Sequence, residues 1–485
     1  MFTRRLLPIA LLASAPIGPA TFHVDIVGDS IDALPGDGSC ADAGGHCSLR
    51  AAVQEGNALA GGDVIVLDAG TYVLSLAGIG DDAALTGDLD IVDELELHGA
   101  GADTTLIDGS ALDRVLDLRG SIPHTVRLED LTVRDGFLGT NTWTGGFSGL
   151  GGVGIRVGAG TTLAMSHVDI RDNHSANMFG AVAIDNAGCI EGDHVRIVGN
   201  TDLEDVGSGS AVSGGIETNG EGSCLVLDDS EISGNRGDLS GAIHVDGGAS
   251  LTLRRTLVAD NVARFAGGLE LNIGGEVLLE NVTISGNAGH PGAILNDGGT
   301  RLTLVDSTVT GNHGSVLGTT VGGILDVHGG FGLTFLRNTI LAGNGPGSNA
   351  DDCRNGQSLG GNLIGSLHGC QIDSLPSDQL GVSAALAPLA DNGGFTHTHL
   401  PGANAIDHGI DTGCVSEDQR GVARPQDGDG DGVAHCDIGA VEMGDADAIF
   451  ANGFDGAATS YPSPRMPAFE SAAQMSAAER WPQGR

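Results

Sequence analysis

Between Gly120 and Gly365 apolar residues keep returning in one phrase: LAMSHVDIRDN, IEGDHVRIVGN, LVLDDSEISGN, LTLRRTLVADN, VLLENVTISGN, LTLVDSTVTGN and, more loosely, LTFLRNTILAGN. The closing asparagines are Asn173, Asn200, Asn235, Asn261, Asn287, Asn312 and Asn344. Three residues before them stands an unbroken apolar column, Ile170, Ile197, Ile232, Val258, Ile284, Val309 and Leu341. Eight before them stand Met165, Leu227, Leu253, Leu279, Leu304 and Leu336. The apolar runs are short, alternating and rich in β-branched residues, which predicts strands. A period of about 25 to 35 residues, with pairs such as Gly214-Gly215 and Gly267-Gly268 between copies, predicts a solenoid, and strands stacked one per coil must run parallel. The expected fold is all-β: a single-stranded, right-handed parallel β-helix of roughly ten coils.

One segment departs from this rhythm. CSLRAAVQEGNA, Cys47 to Ala58, places apolar Leu49, Ala52 and Val53 on one face of a short amphipathic helix with Ser48 as its N-cap. A β-helix ends in open rungs that invite another chain to stack, so the helix is expected to cap the N-terminal end, with GGDVIVLDAGTYVLSL as the first rungs.

The stretch resembles the CSLREA-type N-terminal region of bacterial secreted β-helix proteins. Ala51 replaces the glutamate of that motif, which removes a capping-box partner and leaves the Ser48 cap alone. Farther on, LAPLADNGGFTHTHLPGANAIDHG, DQRGVARP (Asp418 to Pro425) and CDIGAVE (Cys436 to Glu442) resemble the choice-of-anchor Q domain that often follows such β-helices. The resemblance implies export and a surface-anchoring tail, and it supplies no catalytic residues. The tail here has neither a terminal apolar span nor a sortase-like motif. The chain is accordingly read as a signal peptide (1–20), an N-terminal cap with first rungs (21–75), repeats (76–370), a choice-of-anchor Q-like region (371–445) and a tail expected to be disordered (446–485).

Arg4 and Arg5, the apolar run from Leu6 to Ala15 and the small residues ending at Ala20 form a secretory signal. No later segment approaches the roughly 18 apolar residues of a membrane span. Secretion or retention at the cell surface is therefore expected, where disulfides persist. The eight cysteines fall into local couples, Cys40-Cys47, Cys189-Cys224, Cys353-Cys370 and Cys414-Cys436. Cys189 and Cys224 each lie eleven residues before their asparagine, on successive coils about 4.8 Å apart, and are expected to be bonded. Asp193, Asp228, Arg254, Glu280 and Arg337, seven before it, predict charge pairing on the outside of the coil. The asparagines belong at a corner, where they tolerate left-handed backbone and bond amide to amide.

Charge narrows the function classes. Lysine is absent, all 22 basic residues are arginine, and the net charge of −41 argues against nucleic acid or an anionic membrane as partner. Cations suit it better. Asp427, Asp429 and Asp431 in DGDGDG match the opening of an EF-hand-like loop; Ile438 falls at its twelfth position, so Asp437 is the expected fourth ligand for a structural calcium ion. His397 and His399 are read as structural. A pectin-type hydrolase needs Gly-His-Gly and Arg-x-Lys elements that this chain lacks. The nearest constellation to a lyase is Asp228, Asp229, Arg254, Arg255 and Glu280, which charge pairing explains equally well. The leading expectation is an exported, non-catalytic, adhesin-like scaffold that binds a polysaccharide or another cell-surface component. The alternative is a calcium-dependent lyase or hydrolase of acidic polysaccharide.

Overall fold

The computed structural model describes residues 18–139, 151–176, 180–203, 213–273, 275–314, 321–328, 332–345 and 351–444. The core of the proposed signal peptide and the tail lie outside these residues. The chain winds into a right-handed parallel β-helix. One lateral face is a ten-stranded sheet, and a 23-stranded sheet bends around the other two. A representative coil runs through Cys224–Asp228, turns, continues as Glu231–Ser233, passes the Asn235 corner and crosses to Ile243–Asp246.

The repeat alignment corresponds to physical stacking. Ile232 pairs with Ile197 on one side and Val258 on the other, and all three are fully buried. Gly192 interrupts the second apolar column, and the space is filled from the next coil: a Cβ on Gly192 would lie 2.6 Å from the Leu227 side chain. Cys189 stands opposite Cys224 and is bonded to it at a Cα–Cα distance of 4.5 Å. The other couples are also joined, at 5.1 Å for Cys40–Cys47, 4.7 Å for Cys353–Cys370 and 6.5 Å for Cys414–Cys436.

The seven asparagines form a buried ladder. Each Nδ2 donates to the Oδ1 of the next, at 2.9 Å from Asn173 to Asn200 and 2.8 Å from Asn312 to Asn344, and Asn344 donates to Asp352 at 3.0 Å. The left-handed backbone falls one residue earlier than expected. Asp172, Gly199, Gly234, Asp260, Gly286, Gly311 and Gly343 carry the positive φ, so the asparagines are free to turn inward and satisfy buried backbone groups.

The helix Leu49–Ala58 covers the N-terminal end. Ser48 Oγ accepts from the Ala51 amide at 3.1 Å, and Leu49, Ala52 and Val53 enter the core. Arg50 is fully buried because Asp29 pairs with it at 2.6 Å and the carbonyls of Ala84, Gly87 and Asp88 take its remaining donors. Residues 381–443 contain little regular structure and lie along the side of the coils. Asn281 donates to the Glu417 carbonyl, Thr283 to Gln419, and Asn338 to the Ile410 carbonyl.

Candidate acid–base site

Along the ten-stranded sheet a fully buried apolar or cysteine residue, from Leu89 to Cys353, precedes each residue turned outward. In register, the outward column reads Asp90, Asp117, Arg156, Asp185, Glu217, His244, Glu270, Leu295, Leu325 and Arg354. Small residues lead into these strands because successive backbones touch there. A Cβ on Gly215 would lie 2.3 Å from the Ala242 carbonyl oxygen, and one on Gly268 would lie 2.4 Å from that of Ala293.

The N-terminal part of the column is an arginine–aspartate network centred on Asp117. Arg156 donates to it at 2.8 Å, Arg119 lies 2.9 Å away and Arg114 3.4 Å away, while Arg114 also pairs with Asp88 at 3.1 Å. Burial pushes Asp88 up to about 7 and Asp90 up to about 6, with Arg114 and Arg119 pulling against it.

Beyond Asp185, which still feels Arg114 and Arg156, the three positions Glu217, His244 and Glu270 form no ion pair with an arginine among the described residues. His244 is 3% exposed, neither ring nitrogen has a hydrogen-bond partner, and its Nδ1 stands 3.9 Å from Glu217 Oε1. Burial lowers His244 to about 4, so the ring is neutral. Burial and the neighbouring Asp185 raise Glu217 to about 8, so it keeps its proton at neutral pH. Glu270, one rung farther, is raised to about 8 by burial and by Asp297, Asp246 and Asp238, and its Oε2 has no partner. A base held unprotonated beside an acid held protonated is the division that general acid–base catalysis requires.

Sequence reading did not single out this column. The signal that marks it is the outward residue two places after each glycine pair, Glu217 after Gly214-Gly215 and Glu270 after Gly267-Gly268. The constellation named from the sequence is assembled on a different face. Arg255 holds Asp229 at 2.9 and 2.7 Å, Arg254 lies 3.4 Å from Asp228, and Glu280 stands opposite Arg254. The two arginines and two aspartates take up one another's charge. His399 is structural, its ring bonded to the Ala387 carbonyl at 2.7 Å and Ser285 Oγ at 2.9 Å.

Among the described residues three groupings have the spacing of metal sites, one of them Asp193, His194 and Asp229 beside the Arg255–Asp229 pair and two made of carboxylates alone. Asp88, Asp90 and Asp117 lie within reach of one ion, but the guanidinium groups of Arg114 and Arg119 already occupy that space, so the donor set fits a metal poorly. In the DGDGDG loop, Asp427 and Asp429 converge with Asp407, an all-carboxylate set that could coordinate a metal ion. Asp431 accepts from the Val433 amide. Asp437 faces inward instead: it is fully buried, accepts from the amides of Asp407 and Met443, and is pushed up to about 8 by burial and Glu442. Asp407 takes the place expected for it, anchoring the loop through the amides of Gly428, Asp429 and His435.

A family model described as right handed beta helix region matches residues 147–340 and, overlapping, 214–374. Two solved structures are similar to this chain. One is pectate lyase Pel9A, at 12% identity and TM-score 0.45, with 89% of this chain and 98% of that chain covered. The other is the A-module of the Azotobacter vinelandii mannuronan C-5 epimerase AlgE6, at 16% identity and TM-score 0.27, with 75% and 98% covered. No curated protein matches the sequence. With TM-scores below 0.5 neither likeness carries an argument, and the site's chemistry is read from its own side chains.

Proposed function

We propose that this protein is an exported enzyme that cleaves a polysaccharide by general acid–base catalysis, as a lyase or hydrolase, on the face of the ten-stranded sheet. The observation that carries this reading is the neutral, unpartnered His244 ring 3.9 Å from Glu217. Burying an imidazole without partners costs stability, and such groups gather where chemistry needs them. Glu217 gives its proton to the leaving glycosidic oxygen. His244 takes a proton from water in a hydrolysis, or from the carbon beside a carboxyl group in an elimination. An elongated row of parallel rungs suits a polymer that lies across many coils. Calcium fits the Asp407, Asp427 and Asp429 carboxylates as a structural ion, remote in sequence from the acid–base pair.

The test is incubation of the mature protein with a panel of acidic, neutral and amino-sugar polysaccharides, with and without calcium, following new reducing ends and unsaturated uronate absorbance. The expected result is product from one class, lost in His244→Gln. Absence of product from every polymer, with retention on one of them, overturns the enzymatic reading and leaves a binding scaffold.

A further inference from the structure

Resting on this acid–base reading, we propose that the polymer taken by this face carries ammonium groups, an amino-sugar glycan rather than a polyuronate, and that Glu270 receives the ammonium one rung beyond the His244–Glu217 couple.

Glu270 is nine-tenths buried, and its Oε2 has no hydrogen-bond partner. The neighbouring His244 ring is buried, and its nitrogens too are unpartnered. A neutral imidazole offers an acceptor nitrogen, and the carboxyl group offers two acceptor oxygens once a cation draws off its proton. The cation that acts on Glu270, Arg264, is held by other groups, its Nη2 2.9 Å from Asp238 and its guanidinium stacked on the Phe265 ring at 4.6 Å, and its buried Nε is without a partner. Asp246 and Asp297 add negative charge around Glu270.

An ammonium group has three donors, no acceptor and a positive charge, so it satisfies what this stretch lacks. A uronate carboxylate would enter among Glu217, Glu270, Asp246 and Asp297, where the guanidinium that acts on Glu270, that of Arg264, is already paired with Asp238. The net charge of −41 adds to this preference, attracting the amino-sugar chain and repelling the uronate.

The experiment is calorimetric titration of the mature protein with three hexasaccharides: glucosamine, N-acetylglucosamine and galacturonate. The glucosamine hexamer is expected to bind at least tenfold more tightly than its acetylated form, with the galacturonate hexamer weakest. Glu270→Gln is expected to abolish the preference for the free amine, whereas His244→Gln keeps it. Should Glu270→Gln fail to fold, the comparison of acetylated and free amine on the unaltered protein still decides. Equal binding of the two glucosamine forms, or tighter binding of galacturonate, overturns the inference. Cleavage of a neutral or uronate polymer without amine preference overturns it while leaving the acid–base reading intact. Amine-dependent binding without cleavage of any polymer supports the ammonium site and overturns the catalytic reading.

Discussion

His244 and Glu217 give the fold less than apolar side chains would in their places. An unpaired polar group shut away from water costs about 1–3 kcal/mol, so His244→Leu is expected to raise the unfolding free energy by about 1–2 kcal/mol while eliminating cleavage. Denaturant melts and a product assay on the same variant check both halves. The pair also sets a pH window. Cleavage requires His244 unprotonated, above about 4, and Glu217 protonated, below about 8. The rate is therefore expected to be bell-shaped between those limits, with the alkaline limb removed in Glu217→Gln along with most of the activity. These properties were not legible in the sequence. IET, IHV and LEL look like ordinary half-exposed strands until the coils are stacked, and the shifts arise from burial that only the third dimension supplies. Asp437 misled for the same reason: its neighbours in space are Glu442 and the amides of Asp407 and Met443, and spacing along the chain does not reveal which carboxylate a turn will point inward.

The ladder elements, by contrast, were readable residue by residue, because a stacked coil imposes one environment on equivalent positions. Asn261 shows what that environment demands. Its Nδ2 donates to the Ile232 carbonyl at 2.9 Å and to Asn287 at 2.9 Å, and its Oδ1 accepts from the Asn235 amide at 3.0 Å. Asn261→Ala leaves those buried partners unmet, and a loss of about 2–4 kcal/mol is expected, measured as a lowered denaturant midpoint. Helix capping obeys the same logic with charge. Arg50→Ala strands Asp29 and three carbonyls beneath the helix, and a cost of about 3–5 kcal/mol is expected, with the N-terminal rungs losing hydrogen-exchange protection first.

Across the molecule, burial has raised the protonation of several acids together. Asp88 is raised to about 7, Asp90 to about 6, and Glu217, Glu270 and Asp437 to about 8, from ordinary values near 4. The folded chain then binds more protons than the unfolded chain between those limits, so stability falls as pH rises through about 4 to 8. His244, lowered to about 4, acts in the opposite sense below its ordinary value of 6.5. The raised acids outnumber the lowered imidazoles, His244, His290 and His399, which predicts a higher melting temperature at pH 5.5 than at pH 8.5, and calorimetry at the two values checks it. The asparagine ladder carries a further consequence, for length. All its amides point the same way, and the row closes on a carboxylate, Asp352, which accepts and passes nothing on. A segment copied from Asn235 to Asp260 and spliced in after itself would find the donor and acceptor it already uses. The molecule can thus be lengthened by whole turns anywhere upstream of that terminator, each insertion adding another His244 to the row, whereas past Asp352 a new turn would have no amide to continue from.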